Sequence, residues 1–265
     1  MLKISAFASA ALLALGVSAS AADLPVRKSE PVYVPVAYSW TGAYIGVNAG
    51  GIFTHNKVNI FGQGPGTIGA ITSGAVPSSV GHNKSGFIGG VQAGYNWQSG
   101  AFVMGVEADI DYVSAKARKT VTGVPYNVSN VAVVMVTPGV TVASDLRWLA
   151  TARLRAGFAL DRALLYVTGG LALGDVRNSV AIYRSVSAPA SYWGSNSDIR
   201  AGWTLGAGVE YAITNNLSVK GEYLYYSLGK KTISVDPVAP VVGANFGAKF
   251  KNDGHIVRAG LNWKF

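Results

Sequence analysis

Apolar residues alternate with polar or small ones in segment after segment of this chain, and the pattern is cleanest near its end. His255, Val257, Ala259, Leu261, Trp263 and Phe265 fall on one face, while Ile256, Arg258, Gly260, Asn262 and Lys264 fall on the other. Side chains along a strand point to opposite faces with period two, so this stretch is a strand with one mostly apolar side. As the edge of a soluble sheet, such a strand invites aggregation. With its apolar face in lipid, it suits a membrane barrel.

Eight segments alternate in this way: Thr41–Phe53, Gly86–Trp97, Ala101–Ala115, Leu146–Leu160, Ala163–Val176, Arg200–Ile213, Leu217–Gly229 and Gly254–Phe265. Three connections are tight (Gln98–Gly100, Asp161–Arg162, Thr214–Asn216). Four are long (Thr54–Ser85, Lys116–Asp145, Arg177–Ile199, Lys230–Asp253), and long and tight alternate strictly. Short periplasmic turns and long outer loops are the mark of outer-membrane barrels. Ten residues at about 3.3 Å rise and about 45° tilt climb roughly 23 Å, enough for the apolar band. The prediction is an all-β, eight-stranded antiparallel up-and-down transmembrane barrel over residues 40–265, monomeric, in the outer membrane of a Gram-negative cell.

The faces decide what lines the lumen. Phe102, Met104, Val106, Ala108, Ile110 and Tyr112 oppose Gly105, Glu107, Asp109 and Asp111. Trp203, Leu205, Ala207, Val209, Tyr211 and Ile213 oppose Thr204, Gly206, Gly208 and Glu210. In the fourth segment, Leu146, Trp148, Ala150, Ala152 and Leu154 oppose Arg147, Thr151, Arg153 and Arg155. A lipid-facing Arg at mid-bilayer costs about 2–4 kcal/mol, so the charged faces must be interior. Aromatics at segment ends, Trp97, Tyr112, Tyr211, Tyr223, Tyr225 and Trp263, fit the interfacial girdles.

The expected lumen set is therefore Glu107, Asp109, Asp111, Arg147, Arg153, Arg155, Glu210, Lys220, Glu222 and Arg258. Counting from the tight turn pairs Glu107 with Arg155 and Asp109 with Arg153. Eight strands leave an interior about wide enough for side chains, and buried charges need partners. The expectation is an ion-pair plug; the alternative is a narrow, charged, porin-like diffusion channel.

Composition agrees. The chain has 265 residues, 49% of them hydrophobic, and no cysteine, which excludes a disulfide framework and a thiolate metal site. Residues 1–22 resemble a cleaved signal peptide, with Lys3, an apolar run to Val17 and small residues to Ala22. Its removal lowers the formal charge from +9 to about +8. Residues 23–39, with Pro25, Pro31 and Pro35, read as an extended periplasmic lead-in.

The lead-in motif Ala22-Asp23-Leu24-Pro25, the run Trp40-Thr41-Gly42-Ala43-Tyr44-Ile45-Gly46 and the final Asn262-Trp263-Lys264-Phe265 resemble the small outer-membrane proteins of Rhizobiales. These are the RopB-like and hemin-binding-type surface proteins of the broad OmpA-like barrel class. The resemblance covers essentially the whole mature chain. It implies an eight-stranded barrel, an abundant surface protein and, for some members, hemin binding; it brings no catalytic motif.

Candidate chemistry is sparse. His55, His82 and His255 would meet at the outer rim if the last strand closes on the first, and could hold hemin or a divalent metal, although their spacing matches no metal motif. No cofactor is otherwise expected. Basic residues of the long segments, Lys57, Lys84, Lys116, Arg118, Lys119, Arg177, Arg184, Lys230, Lys231, Lys249 and Lys251, suit the phosphates of lipopolysaccharide. They form no stripe or recognition motif for nucleic acid. No Gly-x-Ser-x-Gly elbow is present, and the glycine pair Gly89-Gly90 has no helix behind it, so neither hydrolase nor phosphate-loop chemistry is expected. Leu261, Trp263 and Phe265 are the expected C-terminal signal for the barrel-assembly machinery. The function expected is a structural outer-membrane surface protein; the alternatives are the hemin or host-ligand binder and the channel.

Overall fold

Eight strands of 19 to 23 residues each carry the alternation, considerably longer than the segments predicted. The structure, a computed structural model, describes residues 38–124, 126–127, 135–183, 190–239 and 245–265. The expected signal peptide and the lead-in as far as residue 37 lie outside the described residues.

In chain order the elements are β1 (Gly42–Gly62), α1 (Pro65–Thr72), β2 (Ser79–Ser99), β3 (Phe102–Thr122), β4 (Tyr126–Asn127), β5 (Met135–Val136), β6 (Gly139–Leu160), β7 (Ala163–Tyr183), β8 (Ala190–Ala212), β9 (Leu217–Pro237) and β10 (Phe246–Lys264). The short β4 and β5 pair with each other. The other eight strands form a closed antiparallel ring, each beside its neighbour in the chain, with β10 returning to β1. In that seam Ile45 faces Trp263 and Phe53 faces His255.

The three tight turns are where the sequence puts them. The long connections are not: they shrink to 63–78, 123–138, 184–189 and 238–245, because the strands run on past the expected loop boundaries. Beyond those boundaries the alternation continues with its sense reversed. In β3, Ala115 and Ala117 point inward while Lys116 and Arg118 point out; in β10, Phe246, Ala248 and Phe250 are buried while Lys249 and Lys251 are exposed. A search for apolar-outside strands stops where the apolar residues change sides.

The helix α1 is also unexpected, since Gly64, Pro65, Gly66 and Gly69 argue against one. Pro65 at the first turn costs no hydrogen bond. Thr67 then closes the N-terminus: its Oγ1 accepts from the Gln63 and Gly64 amides at 3.1 and 3.0 Å. Ala70 and Ile71 pack against an apolar cluster that includes Val58, Val142, Ile182, Val235 and Phe250 inside the extended strands.

Two irregularities adjust the parity. In β6 the pairing with β7 shifts between Leu146 and Leu149, so both leucines are buried and Arg147 points outward. Between β8 and β9 the ladder is interrupted from Trp193 to Trp203, and Gly229 adopts φ 73°, the left-handed region open to glycine. Arg200 bridges the interruption, donating from Nε to the Leu228 carbonyl and from Nη2 to the Lys230 carbonyl, both at 3.0 Å.

Candidate functional site

The interior is layered along the barrel. Beginning at the tight-turn end, the first layer is apolar: Trp40, Val103, Ala159, Leu164, Tyr166 and Ala212, with Tyr38 beside them. Trp40 is 2% exposed; its amide donates to Gln98 Oε1 at 2.7 Å and its indole Nε1 to the Asp161 carbonyl at 3.2 Å. Tyr38 stacks edge-on against Trp40 and lies under the Lys264 ammonium, 4.3 Å from its ring centre. Burial raises the Tyr38 pKa, with Glu210 adding and Arg162 opposing.

The second layer is ionic. Five buried carboxylates (Glu107, Asp109, Asp111, Glu210, Glu222) meet four buried cations (Arg153, Arg155, Lys220, Arg258). Arg153 reaches Glu107, Asp109 at 2.8 Å and Glu222 at 3.0 Å. Arg258 reaches Asp111 at 2.7 Å, Glu222 at 2.8 Å and Asp109 at 3.3 Å. Lys220 sits 2.9 Å from both Glu107 oxygens. Arg155 pairs with Glu210 at 2.7 Å and lies 4.0 Å above the Tyr166 ring. Neutral groups complete the lattice. Tyr44 donates to Glu107 at 2.7 Å, Thr151 to Asp109 at 2.6 Å, Tyr166 to Glu222 at 3.1 Å and Asn262 to Glu210 at 2.7 Å. Gln92 donates to Asn262. Every strand of the ring contributes a side chain, so the layer cross-links all eight.

The pairs differ from those expected by one step. Glu107 lies opposite Arg153 in register and Asp109 opposite Thr151, because a height count ignores the stagger between strands. The long side chains blur the difference: Arg155 still approaches Glu107 at 3.6 Å, and Arg153 reaches Asp109. Arg147 does not join the layer. The β6 bulge turns it outward, its side chain 51% exposed, to pair with Asp175. Lys84, expected among the outward basic residues, is buried inside the strand extension, donating to the Ser144 carbonyl at 3.3 Å. Arg184 lies outside the described residues.

Sequence reasoning missed Tyr44 and Tyr166, although a signal exists: each faces a glycine, Gly94 and Gly208, in cross-strand register. A methyl group on either glycine would collide with the tyrosine hydroxyl. These glycines are the room that two lumen phenols need.

Above the ionic layer lie Ile52, Ile88, Val113, Leu149, Leu224 and Ile256, and then the apolar cluster beneath α1. Outside, Ile45, Val91, Met104, Ile110, Leu154, Val167, Leu171, Leu205, Val257 and Leu261 stand exposed in a band, with Trp97, Tyr112, Trp203, Tyr211, Tyr223 and Trp263 around it.

The three histidines lie on the neighbouring strands β10, β1 and β2; His55 pairs in register with Asn83, and Asn56 with His82. His255, nine residues inside β10 rather than at its start, shares a 2.6 Å hydrogen bond with the Tyr223 hydroxyl and stacks on that ring. Among the described residues no group of three potential metal ligands occurs.

The family follows from the whole chain. Residues 7–265 match the family model described as the outer membrane protein beta-barrel domain. The chain belongs to the outer-membrane β-barrel family. Among its family relatives is the 31 kDa outer-membrane immunogenic protein of Brucella melitensis biotype 1, 39% identical over 261 residues and covering 94% of each chain. The 22 kDa outer membrane protein of Rhizobium leguminosarum bv. viciae is 31% identical over 88% of this chain and 81% of its own. A 25 kDa outer-membrane immunogenic protein of Brucella abortus biovar 1 is 28% identical over 100% and 99%. Among solved barrels, OprG from Pseudomonas aeruginosa aligns over 86% of this chain and 98% of its own, with a TM-score of 0.45 and 10% identity. The exposed apolar band is thus the lipid-facing surface of an outer-membrane barrel.

Proposed function

We propose that this barrel is a structural surface protein, with a lumen filled by side chains and a long-loop end that faces outward into lipopolysaccharide. Continuity of packing supports the reading: an apolar layer holding Trp40, the ionic layer, and two further apolar clusters occupy successive heights of the barrel. Within the ionic layer each of the five carboxylates contacts a buried cation, as a plugged lumen requires, while Asp111 Oδ1, Arg153 Nε and Arg155 Nε keep no hydrogen-bond partner among the described residues. Cations on the outer faces of the extended strands, Lys57, Lys116, Arg118, Arg177, Lys230, Lys249 and Lys251, would meet the anionic groups of lipopolysaccharide. Solute-driven swelling of proteoliposomes tests the filled lumen. Vesicles carrying the folded protein should swell in arabinose no faster than protein-free vesicles. Faster swelling, abolished by heat denaturation, would replace the structural role with diffusion.

A further inference from the structure

On the outer face of β6, β7 and β8, beyond the apolar band, lies a pocket of about 370 Å³. Its polar lining includes Asp145, Arg177, Ser179, Ser195 and Ser197, with Ala143 as a small floor residue. The register explains the grouping: Asp145 faces Arg177, which faces Ser197, and Ala143 faces Ser179, which faces Ser195. Three adjacent strands thus present two parallel rows of mostly short hydrogen-bonding side chains. One step further out on β8 stands Trp193, half exposed, opposite the buried Ala181. On the near side, the Arg147–Asp175 pair lies between the pocket and the band on β6 and β7, and the exposed Ile199 lies there on β8.

We infer that this pocket binds an anionic saccharide, the inner-core sugars of lipopolysaccharide. Serine hydroxyls and a carboxylate match sugar hydroxyls, which both donate and accept. Arg177 offers a planar fork to a sugar carboxylate or phosphate, and among the described residues it makes no ion pair. The side nearest β3 is cationic, since Lys116 and Arg118 are the register partners of Asp145 and Ala143. Trp193 supplies the flat apolar surface on which a pyranose ring can rest. Depth selects the sugar over the lipid phosphates. Ser197 lies six residues beyond the girdle residue Trp203 on β8, about 14 Å further from the bilayer at 3.3 Å rise and 45° tilt. The phosphates of the acylated disaccharide sit at the band edge; core sugars begin above them.

The inference rests on the proposed outward orientation, so the two are tested separately. First, Ser197→Cys in intact cells should react with a membrane-impermeant maleimide; absence of labelling in a folded barrel would sink the orientation and the inference together. Second, the full barrel folded in detergent micelles is titrated calorimetrically with deacylated inner-core oligosaccharide from a rough-type lipopolysaccharide. Saturable heat is expected, with Arg177→Ala and Trp193→Ala each weakening binding by about tenfold, the worth of one charge-assisted or stacking contact. Asn59→Ala, an exposed position on the distant β1, should leave it unchanged. Binding that ignores both pocket substitutions, or is equalled by the neutral control maltoheptaose, or is absent although the Ser197→Cys barrel labels, would overturn the inference and leave the orientation standing.

Discussion

The two halves of this barrel solve opposite solvent problems with one alternation. In the half near the tight turns, β3 places Glu107, Asp109 and Asp111 inside and Val106, Ile110 and Tyr112 outside. In the half near the long loops, the same strand places Ala115 and Ala117 inside and Lys116 and Arg118 outside. Strands β1 and β10 reverse likewise, from Asn48 to Val58 and from Arg258 to Phe250 on their inner faces. The first half is inside-out relative to a soluble barrel; the second is an ordinary one. The backbone does not change, so the medium outside decides which face must be apolar. Buried ion pairs concentrate inside the apolar band, and apolar side chains predominate inside the strand extensions.

The contrast can be broken from either side. The largest effect is expected for Arg258→Met, which strands Asp109, Asp111 and Glu222 without their shared cation. Removing one partner of a buried ion pair costs about 3–5 kcal/mol, and here the whole barrel should lose urea resistance, read as its folded-form mobility on unheated gels. Ile182→Ala should cost about 2–4 kcal/mol, and the loss should be local. Limited proteolysis should cut the strand extensions while the lipid-embedded half stays protected; simultaneous loss of both halves would mean that they fold as one unit.

A finer test compares Glu107→Gln, Lys220→Met and their double variant. Their 2.9 Å contact predicts a coupling of about 1–3 kcal/mol, with the double less damaged than the sum of the singles. Additive losses would show that the pair does not act as a pair. The smallest effect belongs to the outside of the second half: Lys249→Ala, an exposed cation, should shift stability by no more than about 0.5 kcal/mol.

The sequence announces the first half and conceals the second. Glu107, Asp109 and Asp111 against Met104, Ile110 and Tyr112 declare both strand and faces, because lipid punishes any error in the pattern. Past Phe53 or Tyr112 the pattern inverts, and residues such as Asn59, Ser79 and Lys116 read as loop although they lie in strands. Arg147 escapes prediction because a bulge adds one residue between Leu146 and Leu149, a shift that period-two counting cannot register. The lining pairs differ by one step because stagger is a property of the closed ring and not of any single strand. Trp40 reads in sequence as no more than the first barrel residue. In the fold it seats itself beneath the ionic layer through long-range contacts to Gln98 and Asp161 that no local pattern encodes.

Single-channel recording in a planar bilayer tests the packed lumen most directly. Inserted wild-type barrel should be silent, and so should Asp109→Asn, since the layers above and below remain. Steady conductance steps from the wild type, altered by Asp109→Asn, would contradict the account: ions would then be passing through the layer that is held to fill the barrel.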